Sequence, residues 1–192
     1  LSGFRLQNGG QDGFTVLNAE HNNLSKLYFS DTFLYLRSSD YNLIKNNSFE
    51  GGYYGIAAES SDFNLIENNY FSGSSSAISS ESSTKDISLY ASSNNRISSN
   101  VFNSSYVSYN LYMSSQSNSN IIENNTFSNS TRDGVSIHDS ENIGLYFNTF
   151  SNNGILITGN NIEYWNTHIM TNNTLNGKLI YYSKNDTGGS VS

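Results

Sequence analysis

Asn42-Leu43-Ile44-Lys45-Asn46-Asn47-Ser48-Phe49 returns as Asn64-Leu65-Ile66-Glu67-Asn68-Asn69-Tyr70-Phe71. It returns again as Asn95-Arg96-Ile97-Ser98-Ser99-Asn100-Val101-Phe102 and as Asn120-Ile121-Ile122-Glu123-Asn124-Asn125-Thr126-Phe127. Ile143-Gly144-Leu145-Tyr146-Phe147-Asn148-Thr149-Phe150 is a weaker copy. The marker phenylalanines Phe49, Phe71, Phe102, Phe127 and Phe150 are 22, 31, 25 and 23 residues apart. Between the copies sits a second signal, glycine followed by alternating apolar residues: Gly55-Ile56-Ala57-Ala58, Gly134-Val135-Ser136-Ile137 and Gly154-Ile155-Leu156-Ile157. Alternation with period two marks strands with one buried face.

Short strands at a period of about 23 residues, with Asn and Gly between them, predict a solenoid whose coils stack on one another. The expected fold is all-β: a single-stranded, right-handed parallel β-helix of about eight coils. It forms one domain over residues 1–192, with 175–192 as terminal coil and tail. Stacking sets equivalent residues about 4.8 Å apart. Ile44, Ile66, Ile97, Ile122 and Leu145 then form one inward column and the five phenylalanines another. Asn47, Asn69, Asn100, Asn125 and Asn148 form an asparagine ladder, in which each amide can both donate and accept. A β-propeller blade needs roughly twice this period, and a sandwich would not repeat its sequence. The long interval before Phe102 marks an insertion, Ser72 to Ser76 and Ser79 to Lys85, read as a solvated Ser-rich loop. Solenoid insertions do often fall on the binding face.

Composition agrees with this reading. The 192 residues include 31 Asn, 36 Ser and 11 Thr, and only 35% are hydrophobic. Asn is poor in helices and strands but tolerates the left-handed conformation of turns. A net charge of −7 speaks against a nucleic-acid partner. The absence of cysteine excludes disulfides, thiolate metal sites and a Cys nucleophile. No apolar run approaches the ~20 residues of a transmembrane segment. The chain opens in mid-pattern at Leu1-Ser2-Gly3-Phe4, as expected of a mature fragment or an excised domain.

The Asn-x-Ile-x-x-Asn-x-Phe unit followed by Gly-Ile resembles the parallel β-helix repeat family. That family includes pectin-active enzymes, NosD-like periplasmic copper-site maturation proteins and many archaeal surface proteins. The segment Asn176-Gly177-Lys178-Leu179-Ile180-Tyr181-Tyr182, running on to Gly188-Gly189, is similar to the terminal coil of large archaeal, S-layer-type surface proteins. The resemblance implies an extracellular structural module of a cell-surface, S-layer, sheath or fibre protein. Such a module would be non-enzymatic and would assemble with itself or other envelope modules through its ends or faces. The alternative is a carbohydrate-binding or polysaccharide-processing β-helix, which would show a groove of clustered acids and aromatics on the long sheet. A NosD-like metal-delivery role is a weaker alternative.

Candidate chemistry is sparse, and no catalytic or metal-ligating residue is assigned. Glycosidic hydrolysis needs two positioned carboxylates. Asp40 and Asp62 fall at equivalent coil positions but read as turn residues. Lys45 and Glu67 read as an exposed ion pair. Glu123, Arg132, Asp133, His138 and Asp139 form the densest polar group, at corners expected to lie apart. His21, His138 and His168 differ in coil phase and make no metal set. No cofactor is expected, though calcium on carboxylate and backbone oxygens is compatible with the composition. Tyr28, Tyr35, Tyr53, Tyr54, Tyr90, Tyr106, Tyr109 and Tyr112 are candidates for an exposed face that stacks on glycans. Asn-x-Ser/Thr sequons at Asn23, Asn46, Asn103, Asn124, Asn129, Asn172 and Asn185 are glycosylation candidates. A chain this rich in Asn, Ser and Thr generates about that many by chance.

Overall fold

Apolar residues recurring once or twice per coil can all be buried together only if the coils stack, and they do. The computed structural model describes residues 1–7, 13–73, 84–104 and 107–184. Each coil gives one short strand to each of three sheets. The isoleucine sheet has seven strands, from Asn23–Ser25 to Ile169–Thr171. The phenylalanine sheet has nine, from Arg5–Gln7 to Lys178–Leu179. The third, here called the long sheet, has seven, from Phe14–Leu17 to Ile155–Thr158. Several of its strands reach six residues, such as Lys85–Tyr90 and Asp133–His138. Pairing is parallel throughout except between Thr174–Leu175 and Lys178–Leu179. No helix among the described residues is long and apolar enough to cross a membrane.

About seven coils form, one fewer than the spacing predicts. The interval before Phe102 contains one coil plus extra residues, and the chain after Leu175 folds back antiparallel instead of adding a coil. The insertion falls mainly on residues 74–83, outside the described residues. On either side the register is intact, with Tyr70 pairing with Val101 and Tyr54 with Lys85.

The inward columns form the core. Ile44, Ile66, Ile97, Ile122 and Leu145 stand in register and are fully buried. The phenylalanine column begins one coil before the repeat becomes recognisable, at Phe29. From Phe29 to Phe150 the rings lie 4.5–4.9 Å apart, with planes within 13° of parallel. Offset stacks of this kind gain about 0.5–1.5 kcal/mol per pair beyond burial.

Hydrogen bonding fixes the register. Asn47, Asn69, Asn100, Asn125 and Asn148 form a buried ladder that continues to Asn173. From Asn69 onward each Oδ1 accepts the backbone N–H and the side-chain N–H of the asparagine one coil earlier, for example from Asn69 to Asn100 at 2.9 and 3.0 Å. Each Nδ2 also donates to a carbonyl of the preceding coil, as Asn100 does to Ile66 at 2.9 Å. A second ladder runs through Asn42, Asn64, Asn95 and Asn120. A serine column runs through Ser39, Ser61, Ser92, Ser117 and Ser140. Immediately before the first ladder the backbone is left-handed. Lys26, Asn46, Asn68, Ser99, Asn124, Phe147 and Asn172 all have φ between 54° and 56°, where asparagine is the best-tolerated ordinary residue after glycine.

The C-terminal end is partly covered, although the sequence shows no amphipathic capping helix. The one-turn helix Glu163–Asn166 packs against Ile155–Thr158. It is too short to produce a helical period. His168 is fully buried and takes the place of an asparagine in the second ladder, its Nδ1 accepting the Ile143 N–H at 3.2 Å.

Candidate functional site

On the outer face of the long sheet, residues at one coil phase form the column Thr15, Tyr35, Ala57, Ser88, Tyr112, Ser136 and Leu156. Tyr35 and Tyr112 are three strand spacings apart, about 14 Å. The two residues between them, Ala57 and Ser88, are small. Two aromatic walls over a small-residue floor leave a groove of about 550 Å³. Phe33 and Tyr54 extend the aromatic lining, with ring centroids 5.7 Å apart.

Lys85 enters this groove between two rings. Its Nζ lies 5.4 Å from the Tyr54 centroid and 4.9 Å from that of Tyr112, within cation–π range. Burial lowers its pKa below the usual lysine value. Glu59, also on the lining, accepts a hydrogen bond from the Tyr35 hydroxyl and faces Arg37 at 3.9 Å. The Tyr35 phenol is raised by burial first and then by Glu59. Tyr112 is raised by burial and by Tyr109, with a smaller contribution from Asp139.

Strict alternation from Ile87 and Leu89 would turn Lys85 inward and Asp86 outward. The structure reverses both. The strand bends at Asp86, in a column that also holds Gly55, Asn110 and Gly134. A Cβ on Gly55 would lie 2.6 Å from the Phe71 ring, and one on Gly134 2.8 Å from the Phe150 ring. In this column Asp86 is only 5% exposed. Its carboxyl accepts from Ser104 Oγ at 2.7 Å and Asn110 Nδ2 at 2.9 Å, both neutral donors. Burial pushes its pKa up to about 7, partly offset by those two hydrogen bonds.

The remaining sequence candidates are dispersed. Asp40 and Asp62 brace turns, accepting the backbone N–H of Asp62 and of Ser93 at 2.7 and 2.6 Å. Lys45 and Glu67 are register neighbours, but the ion pairs among the described residues are Arg37–Glu59, Arg96–Glu123 and His138–Asp139. The expected Lys45–Glu67 pair is therefore corrected: Glu123 is the carboxylate of its column that meets a cation, the longer guanidinium of Arg96. Arg132 reaches the Tyr109 hydroxyl at 2.8 Å. Of the candidate tyrosines, Tyr35, Tyr54, Tyr90 and Tyr112 line the groove. Tyr28 lies on the phenylalanine sheet, and Tyr106 falls outside the described residues. Asn23, Asn46, Asn103, Asn124, Asn129 and Asn172 are all exposed, the condition an attached glycan requires. Asn185 lies outside the described residues. No group of three or more His, Cys, Asp or Glu side chains gathers to hold a metal among the described residues.

A family model described as a right-handed beta helix region matches residues 1–176. No curated protein matches the chain. Among solved structures, the crystal structure of alginate lyase from Paenibacillus sp. str. FPU-7 is similar, with a TM-score of 0.59 at 12% sequence identity. The match covers 89% of this chain and 68% of that one. At that identity the likeness speaks for the fold.

Proposed function

The chain belongs to the right-handed beta helix family, and on that premise we propose that it binds an acidic saccharide chain across the outer face of its long sheet. The observation that carries this reading is the groove itself, with Tyr35 and Tyr112 as walls, Ala57 and Ser88 as floor and Lys85 between two rings. Aromatic faces over a small-residue floor suit the apolar faces of sugar rings. Lys85 brings positive charge into an aromatic groove on a chain of net charge −7. The carboxylate on the lining, Glu59, already faces Arg37. These features favour a saccharide carrying carboxylates over a neutral one. The β-helix neighbour is named for acting on alginate, a polymer of this class. The reading carries with it an extracellular location, where such polymers occur. One carboxylate on the lining is short of the pair that glycoside hydrolysis needs, so binding is the function proposed.

Titration calorimetry with alginate oligosaccharides and a neutral glucan of equal length tests this. Lys85→Met and Tyr112→Ala should each weaken acidic-oligosaccharide binding by roughly tenfold, about 1.4 kcal/mol. The neutral glucan should bind more weakly and be insensitive to Lys85→Met. Equal affinity of the wild type for both sugars would remove the acidic preference, and no binding of either would remove the proposal. Because burial holds the lysine below its usual pKa, an anionic ligand should draw a proton onto it, and binding should weaken as pH rises through the alkaline range.

A structural role keeps one observation in its favour. Ile162, Trp165, Ile169, Leu179 and Tyr181 are exposed near the C-terminal end, from 43% to 68%. If that end joins another module or copy, sedimentation should show association rising with concentration and falling in Trp165→Ser. A monomer at all concentrations would count against it.

A further inference from the structure

Beyond the groove, the same face continues into a second constellation. His138 ends the strand Asp133–His138, and Thr158 occupies the same phase one coil later. The His138 Nδ1 lies 2.7 Å from Thr158 Oγ1. Its Nε2 lies 3.1 Å from Asp139 Oδ2. A hydroxyl, an imidazole and a carboxylate in that order are the parts of an activated nucleophile, in which the third group orients the base. With Asp139 accepting a hydrogen bond from Nε2–H, the Nδ1 lone pair is directed at the threonine hydroxyl.

The local backbone favours the arrangement. Asp139 is held at φ 45°, in the left-handed region, which turns its carboxylate back along its own histidine. The facing position in the next coil is Gly159, where a Cβ would lie 3.0 Å from Asp139 Oδ1 and 2.5 Å from the Tyr164 ring. The His138 and Asp139 side chains are 45% and 34% exposed and Thr158 is partly exposed, so a substrate can reach them. The site also adjoins the groove. Ser114, on the lining, precedes His138 in the column, since Met113 pairs with Ile137. Tyr112, the groove wall, lies within range of the Asp139 charge.

We propose that Asp139, His138 and Thr158 form an esterase site that removes O-acyl groups from a saccharide lying in the neighbouring groove. The identity of the saccharide carrier rests on the binding function proposed above; the ester chemistry does not. Thr158 Oγ attacks the ester carbonyl carbon and its proton passes to His138 Nδ1. The tetrahedral adduct collapses with cleavage of the bond to the sugar oxygen, which leaves with the proton from His138. Water then attacks the acyl-threonine and gives a proton to His138 Nδ1; the adduct collapses with cleavage of the bond to Thr158 Oγ, which takes that proton back as the carboxylic acid is released.

The test uses the full chain, p-nitrophenyl acetate as an activated ester and a fluorophosphonate as a covalent probe. Thr158→Val, which keeps the side-chain shape, and His138→Gln should each lower hydrolysis by at least tenfold. Thr158→Ser should retain it, and the fluorophosphonate should label Thr158 in a peptide map. Circular dichroism melts confirm that each variant is folded. Absence of hydrolysis in the folded wild type, or hydrolysis that survives Thr158→Val, overturns the proposal. Hydrolysis and labelling without any oligosaccharide binding would leave the esterase standing and remove the acidic-saccharide groove.

Discussion

Asn100→Ala should destabilise the fold by about 3–5 kcal/mol, measured by chemical denaturation, without altering the sheet content of the folded protein. Asn100 is buried at 1% exposure and joins three coils. Its Oδ1 accepts both the backbone and side-chain N–H of Asn69. Its Nδ2 donates to the Ile66 carbonyl and to Asn125 Oδ1. Alanine fills none of these roles and leaves two buried donors of Asn69 without an acceptor, at about 1–3 kcal/mol each. An exposed corner asparagine of the next coil provides the control. Asn124→Gly, at φ 54°, keeps the left-handed corner accessible and should change stability by only about 0.5 kcal/mol. Equal effects at the two positions would show that the ladder does not hold the coils.

Stability should also depend on the buried carboxyl of Asp86. In the native state its pKa is pushed up to about 7, against about 3.9 for an unfolded aspartate. Between those values the native state binds more protons than the unfolded one, so stability falls as pH rises through the window. Below about pH 4 the contribution is fully present, and above about pH 7 it is lost. The three-unit gap corresponds to a loss on the order of 4 kcal/mol. Asp86→Asn, which keeps the size and much of the hydrogen bonding, should flatten this dependence. The variant should be the more stable protein at pH 8 and near parity with the wild type at pH 4.5. A wild type whose stability is level from pH 4.5 to pH 8 would mean that Asp86 is not the desolvated acid its surroundings indicate.

The two predictions also mark what could be read from the chain. The isoleucine and phenylalanine columns were legible because the same residue type recurs in every coil, and a fixed spacing then has one geometric meaning. The Asn47-to-Asn148 ladder was legible for the same reason. The preceding coil is hidden in the sequence because Leu27 stands where the ladder asparagine would be, although Leu24 and Phe29 occupy the core columns. The groove was illegible because its column changes residue type at every step, from Tyr35 to Ala57 to Ser88 to Tyr112. What forms the site is the contrast between large and small residues, and repetition alone does not reveal contrast. The bend at Asp86 hid Lys85 as well, since period-two alternation fails where a strand turns a corner. His138 and Asp139 stand out in the sequence as adjacent polar residues, but Thr158 does not. Aligning Gly134-Val135-Ser136-Ile137-His138 with Gly154-Ile155-Leu156-Ile157-Thr158 would have placed Thr158 beside His138.

The groove and the His138 cluster lie on one face of the stack. The stacked coils supply rigidity, and rigidity holds Tyr35, Tyr112 and Lys85 at fixed separations before any ligand arrives. Preorganisation of this kind lowers the ordering cost of binding. It also places the His138 cluster one strand spacing beyond the groove lining, about 4.8 Å along the same face.

An amide chemical-shift map recorded during titration with an alginate hexasaccharide would locate the bound saccharide on the protein. The account predicts shifts concentrated on residues 54–59, 85–90 and 109–114, and none of comparable size on the isoleucine sheet. Shifts spread evenly over the three faces, or confined to the ends of the helix, would contradict it.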